Sequence, residues 1–146
     1  LHLCDRRQRQ MCIRDSNNTS LTPEDDEKLE EYLWPIIKEM IKTAIENKQN
    51  LIIEGAYIPF DWKKDFDSSY LQEIQFYCLV MTQNYIQNHF SDIKNYANII
   101  EKRLDNSWFT KETALEENIK NLELCKQNNC RYILIDDSYD VDIEIN

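Results

Sequence analysis

Three places in the chain set an acid or a hydroxyl at the end of an apolar run. Glu54 follows Leu51-Ile52-Ile53 and stands directly before Gly55. Asp136-Asp137-Ser138 closes Tyr132-Ile133-Leu134-Ile135, and Thr82 closes Ile74–Met81. A carboxylate at the end of a buried strand is costly unless it meets a cation, a hydrogen-bond cluster or water. In open parallel sheets, ligands bind beyond the carboxyl ends of the strands. These three ends are therefore the candidate ligand positions. Gly55 would let a ligand approach the backbone, or would supply a positive φ. The plain alternative for Glu54 is a strand-end acid that caps a neighbouring helix or faces water.

Other chemistry is excluded by composition. Gly55 is the only glycine among 146 residues, where an average chain of this length carries about ten. No G-x-G-x-x-G or G-x-x-x-x-G-K-[ST] phosphate cradle can be written with it. Past residue 16, His89 is the only histidine, so a histidine-based triad or a histidine-rich metal site is not expected. His89 lies on an apolar helical face and reads as a core histidine. The five cysteines show no paired metal-ligand spacing, and the expectation is free thiols in a reducing cytosol. A formal charge of -10 argues against a nucleic-acid binder, which needs a basic stripe. No apolar run approaches the ~18–20 residues of a membrane span, and no secretory leader is recognisable. The expected location is cytoplasmic.

The elements that must position the strand ends follow from periodicity. Thr22-Pro23-Glu24-Asp25 is a helix start, with a capping threonine, proline at the first position and acids in the first turn. Leu29, Leu33, Ile36, Ile37, Met40, Ile41, Ala44 and Ile45 then recur at three and four, with a kink or break expected where Pro35 interrupts them. Leu51–Ile53 reads as a buried parallel strand, unbroken rather than alternating. A loop with one short helix, capped by Asp61 or Asp67, leads to a second strand at Ile74–Met81. Thr82 caps the next helical segment, where Tyr85, Ile86, His89, Phe90, Ile93, Ala97, Ile100 and Leu104 keep helical spacing over one helix or two. Thr110 caps another, with Leu115, Ile119 and Leu122 on one face. Tyr132–Ile135 is a third strand, and Val141–Ile145 alternates as an edge strand would. Apolar strands separated by helices indicate right-handed crossovers onto a parallel sheet, an α/β class.

The first sixteen residues differ from the rest. They hold Arg6, Arg7, Arg9 and Arg14, four of the six arginines in the chain. Met11-Cys12-Ile13-Arg14-Asp15-Ser16 back-translates to a string that resembles the transposase adapter of sequencing libraries. Residues 1–16 are therefore expected to be a non-native, adapter-derived segment rather than a natural basic arm, and they are left out of fold reasoning. Without them the chain carries 13 basic and 25 acidic residues, a net charge of -12. An adapter junction implies that the natural gene begins upstream, so residues 17–146 are expected to be the C-terminal part of one domain.

Asn50-Leu51-Ile52-Ile53-Glu54-Gly55-Ala56-Tyr57-Ile58-Pro59 resembles the second acidic motif of P-loop small-molecule kinases, in the style of bacterial adenylate-kinase-like and 2-phosphoglycerate-kinase-like proteins. Only Ile53-Glu54-Gly55 is motif-like; the order of elements over roughly residues 22–140 adds most of the weight. The resemblance implies an incomplete three-layer sheet of parallel strands with helices on both faces, its first strand missing. It implies phosphoryl transfer from ATP, with Mg²⁺, to a small-molecule acceptor. Glu54 would act near the metal through water or orient the accepting hydroxyl. Tyr57, Asp61, Lys63 and Lys64 would face the acceptor. Arg103, with Lys102, would be the lid cation over the phosphates, and the loop at Asp136 and Asp137 would approach the adenine. Arg131 would lie at the opposite end of the sheet. The family's glycine-rich cradle has no match here, and its lid is richer in arginine. As a fragment the chain is expected to be inactive. A toxin-type kinase acting on a sugar nucleotide and a non-enzymatic acidic α/β interaction module are the alternatives.

Overall fold

The computed structural model describes residues 26–96 and 109–143. The chain divides into two compact units, one ending at Ile74 and the other starting at Gln75. The Thr22 cap, the first sixteen residues, the expected helical positions Ala97, Ile100 and Leu104, and Lys102 and Arg103 lie outside the described residues.

The first unit is built on helix α1, Asp26–Glu46, which runs unbroken through Pro35. A proline inside a helix leaves the carbonyl four residues earlier without its donor. Here Glu31 and Pro35 are both exposed, so water can take that carbonyl. The apolar side of α1 buries Leu29, Trp34 and Ala44. Against it fold a 3₁₀ turn, Trp62–Asp65, and the single-turn helix α2, Ser68–Leu71. The contact is aromatic. The Phe66 ring stands edge-on to Trp34 and to Trp62, at 6.0 Å in each case, and to Tyr70 at 6.3 Å. Edge-to-face pairs of this kind add about 0.5–1.5 kcal/mol beyond the area they bury.

Polar groups fix the register of that packing. Trp34 Nε1 donates to Asp65 Oδ2 at 2.8 Å, and Lys38 Nζ lies 3.6 Å from the other oxygen. Tyr70 donates its hydroxyl to Glu46 Oε1 at 2.6 Å. Of the two expected caps, Asp67 is the one that works: its Oδ1 accepts from the amides of Ser69 and Tyr70. Asp61 precedes the 3₁₀ turn but makes no side-chain cap bond.

The strand expected at Leu51–Ile53 does not form. The segment carries no regular structure, and Ile52 is 77% exposed. A strand needs a neighbour for its backbone N–H and C=O groups, and none of the described residues pairs with this one.

The second unit contains a parallel two-stranded sheet, so the coarse α/β class holds. Strand β1 is Cys78–Met81, shorter than expected. Helix α3, Gln83–Tyr96, and helix α4, Lys111–Gln127, follow, and β2, Tyr132–Ile135, completes the unit's regular structure. Cys78 pairs with Tyr132 and Met81 with Ile135. Both helix starts are capped as expected. Thr82 Oγ1 accepts from the Tyr85 amide at 3.1 Å. Thr110 and Thr113 exchange side-chain and backbone bonds in a capping box. Residues 141–143 are not in a strand.

Two expectations shift here. Helix α4 does not bury the Leu115, Ile119 and Leu122 face; Ile119 is 57% exposed, while Ala114 and Cys125 are enclosed. His89 is not a core residue: its ring stacks on Tyr85 at 4.7 Å, and its side chain is 38% exposed. Among the described residues this unit buries Val80, Ile86, Ala114, Cys125 and Ile135, with Tyr85 and Cys130 at their margin.

The Trp34 hydrogen bond, ahead of the Lys38 charge, holds the Asp65 carboxyl below the usual range. A lowered folded-state pKa stabilises the fold above the ordinary carboxylate value, and that contribution is lost as pH falls through the lowered one. Asp65→Asn should therefore cost the first unit about 1 kcal/mol at neutral pH and weaken its acid sensitivity below about pH 4. Urea unfolding followed by tryptophan fluorescence at several pH values checks this; equal acid sensitivity in both proteins contradicts it.

Candidate functional site

The candidate residues fall into two groups, one on each unit. On the first unit, Glu54 and Gly55 lie in the exposed segment after α1. The backbone of Gly55 is not in the positive-φ region, and a Cβ built there meets nothing within 4 Å. Neither the turn nor a close contact within the fold requires glycine, and Gly55 supplies no positive φ. Tyr57 is half-buried. Asp61 and Lys64 form an ion pair across one turn, and its hydrogen bond raises the Lys64 pKa. Lys63 places its ammonium 5.9 Å from the Trp62 ring centroid, a cation–π contact. Trp62 is buried and serves packing.

An open apolar groove of about 630 Å³ lies on this unit, lined by Pro35, Ile36, Met40, Thr43 and Leu51 among others. None of Glu54, Gly55, Tyr57, Asp61, Lys63 or Lys64 lines it.

On the second unit the parallel register brings two of the candidate strand ends together. Thr82 follows β1 and Asp136 follows β2. The Thr82 amide donates to the Ile135 carbonyl at 2.9 Å, extending the ladder past the strands. The Thr82 hydroxyl donates to Asp136 Oδ1 at 2.6 Å while accepting from the Tyr85 amide. One hydroxyl thus ties the end of β2 to the start of α3. Asn84 Nδ2 lies 3.4 Å from Asp137 Oδ1, and both acids are exposed. At the opposite end, Arg131 donates to the Tyr77 hydroxyl at 3.2 Å and lies over that ring.

Sequence reasoning missed Asn118. It projects from α4, donates to the Ala114 carbonyl at 2.8 Å, and accepts from the Met81 amide at 2.8 Å. Its position four residues after Ala114, on the helix face that buries Cys125, was the only signal available. Among the described residues, no three His, Cys, Asp or Glu side chains gather closely enough to hold a metal ion. No described helix is long and apolar enough to cross a membrane.

Compared with known proteins, the chain matches no family model, no curated protein and no solved structure.

Two substitutions test these assignments. Thr82→Ala removes the cap and the Asp136 bond, and should cost about 1–2 kcal/mol, while Thr82→Ser should recover most of it. Gly55→Ala should change stability by less than about 1 kcal/mol. Denaturant midpoints measure both; a large loss at Gly55 would show that the fold needs glycine there.

Proposed function

We propose that the chain is part of an ATP-dependent phosphotransferase of the P-loop kinase class, one that transfers the γ-phosphoryl group to a small-molecule acceptor. The observation that supports this best is the parallel pairing of β1 with β2 across a helical connection, which sets Thr82 and Asp136 side by side at the carboxyl ends of the strands. That is where open α/β sheets bind ligands.

On this reading Leu51–Ile53, irregular and unpaired among the described residues, would become a strand only beside a neighbour that those residues do not supply. Glu54 is the acid at its end, near the metal or at the acceptor hydroxyl. Tyr57, Asp61 and Lys63 face the acceptor. Lys64 already pairs with Asp61, so an acceptor anion would have to compete with that carboxylate. Lys102 and Arg103 belong to the lid, and Asp136 and Asp137 to the adenine side.

The described residues do not by themselves fit ATP and Mg²⁺. No three ligands converge, and Gly55 alone cannot make a phosphate cradle. The proposal therefore assigns no catalytic step to this chain alone.

The exposed apolar groove beside Ile36 and Met40 favours a second reading, an acidic module that binds a protein partner. One observation separates the two. Reading the same template upstream should show an in-frame apolar strand followed by G-x-x-x-x-G-K-[ST]. A stop codon and a clean start near Thr22 would leave only the second reading. With the longer frame expressed, Glu54→Gln should lower kcat by about 10²-fold or more with the melting temperature unchanged. A coupled ATPase assay against nucleoside monophosphates, phosphoglycerates and sugar nucleotides would identify the acceptor.

A further inference from the structure

The two edges of the second unit's sheet are not alike. Cys78 and Thr82 donate their amides to the Arg131 and Ile135 carbonyls, so the odd-numbered residues of β2 turn their backbone groups toward β1. Tyr132 and Leu134, of the other parity, turn theirs outward. Among the described residues, no strand pairs with that outer edge. At the β1 edge the Met81 amide is taken by Asn118. The β2 edge has no such guard. Tyr-Ile-Leu-Ile holds no charge and no proline, the side-chain devices by which proteins keep an open edge from pairing. Tyr132 and Leu134 are both exposed, and residues two apart on a strand share one face of the sheet. The edge therefore offers the N–H and C=O groups of both residues with an apolar strip alongside. An extended strand is the partner that answers such an edge.

We propose that the occupant is β2 of a second copy of this chain, running antiparallel, so that two chains share one sheet of order β1-β2-β2-β1. The charges at the ends of the strand select this partner and this direction. Arg131 precedes β2, while Asp136 and Asp137 follow it. A parallel copy would set acid beside acid and Arg131 beside Arg131. An antiparallel copy sets each Arg131 beside the acids of the other, and the two-fold axis makes that match twice. Arg131 uses one donor on the Tyr77 hydroxyl and keeps others of its guanidinium fork.

Hydrogen-bond parity sets the register. Tyr132 opposite Leu134 of the second copy uses every outward group of both strands, with Ile133 at the axis. Arg131 then faces Ile135 of the other copy, about 3–7 Å along the strand from Asp136 and Asp137. Thr82 holds Asp136 at 2.6 Å, whereas the Asn84 contact to Asp137 is long at 3.4 Å. Asp137 is therefore the acid that turns to Arg131. The assembly closes at two chains, because its outer strands are then both β1, whose edge Asn118 guards. Two strands of four residues bury little area, and the charge of -10 on each chain opposes contact. The dimer is accordingly weak and builds with concentration.

Sedimentation velocity of the full chain in dithiothreitol, from about 1 μM to about 1 mM, tests this. The expected result is a monomer–dimer equilibrium with no larger species. Leu134→Pro removes an outward N–H that the β1–β2 ladder does not use. It should raise the dimer Kd by about 10-fold or more and leave the far-UV circular dichroism unchanged. Arg131→Glu should weaken the dimer too, and Arg131→Glu combined with Asp137→Lys should restore it. The Tyr132 and Leu134 amides should resist hydrogen exchange only at high concentration. A chain that is monomeric throughout would overturn the proposal, as would a dimer that neither substitution weakens, or growth into polymers. Protection of those two amides in the dilute monomer would overturn it as well, since the edge would then be covered from within the chain, by residues 141–145 for example. If Leu134→Pro fails to fold, the charge reversal and its rescue still decide it.

Discussion

Two strands of four residues that run in the same direction cannot be joined by a hairpin. The chain must leave the end of β1, travel back outside the sheet and re-enter at the start of β2. Every feature of the second unit follows from that requirement. Thr82 must stop the strand and start a helix within one residue, and its hydroxyl does both by bonding Asp136 and the Tyr85 amide. Helix α4 must return close to β1, and Asn118 bonds it to the Met81 amide there while Ala114 and Cys125 are enclosed. The two strands supply few ladder bonds of their own. Burial of Val80, Ile86 and Ile135, worth about 1.5–3 kcal/mol for each side chain, is what keeps them together.

Among its described residues the first unit has no ladder, so aromatic packing and side-chain bonds take its place. Trp34 reaches Asp65 from the middle of α1, and Tyr70 reaches Glu46 near the helix end. The two contacts hold the 3₁₀ turn and α2 along α1. This explains why Asp61, Lys63 and Lys64 occupy defined positions despite lying in a loop: the Trp62 and Phe66 rings on either side are buried. The order of this loop comes from tryptophan and phenylalanine, and its charges ride on that frame.

What could be read from the sequence was whatever local chemistry decides. The caps at Thr82, Asp67 and Thr110 depend on a hydroxyl or carboxylate within three residues of an amide, and all three are present. The apolar runs at β1 and β2 were legible because each finds a partner. Leu51–Ile53 has the same apolar character, yet an unpaired strand has no reason to stay regular. Strand identity is a property of the pair, and none of the described residues pairs with this segment. The enclosed positions of α4, Ala114 and Cys125, depend on what packs against the helix, which spacing along the sequence does not show. Of the candidate site, the sequence could place acids at strand ends. It could not show that the Thr82 hydroxyl binds Asp136, because 54 residues separate them.

Asn118 adds a constraint on any larger sheet. In a parallel ladder alternate residues direct their N–H groups to opposite sides. Cys78 and Thr82 donate toward β2, so Met81, of the other parity, directs its amide outward, and Asn118 accepts it. The side chain thereby closes part of the edge at which another strand would dock, one of the ways that proteins protect an open sheet edge. A strand added beside β1 would have to displace Asn118 from Met81 and return a carbonyl in its place. The exchange trades one hydrogen bond for another, so it is close to neutral at that position. The gain would come from the apolar surface that the new strand covers, including Leu79, which is 39% exposed. A sheet completed in this way would keep the β1–β2 register, with Thr82 and Asp136 still side by side at its carboxyl edge.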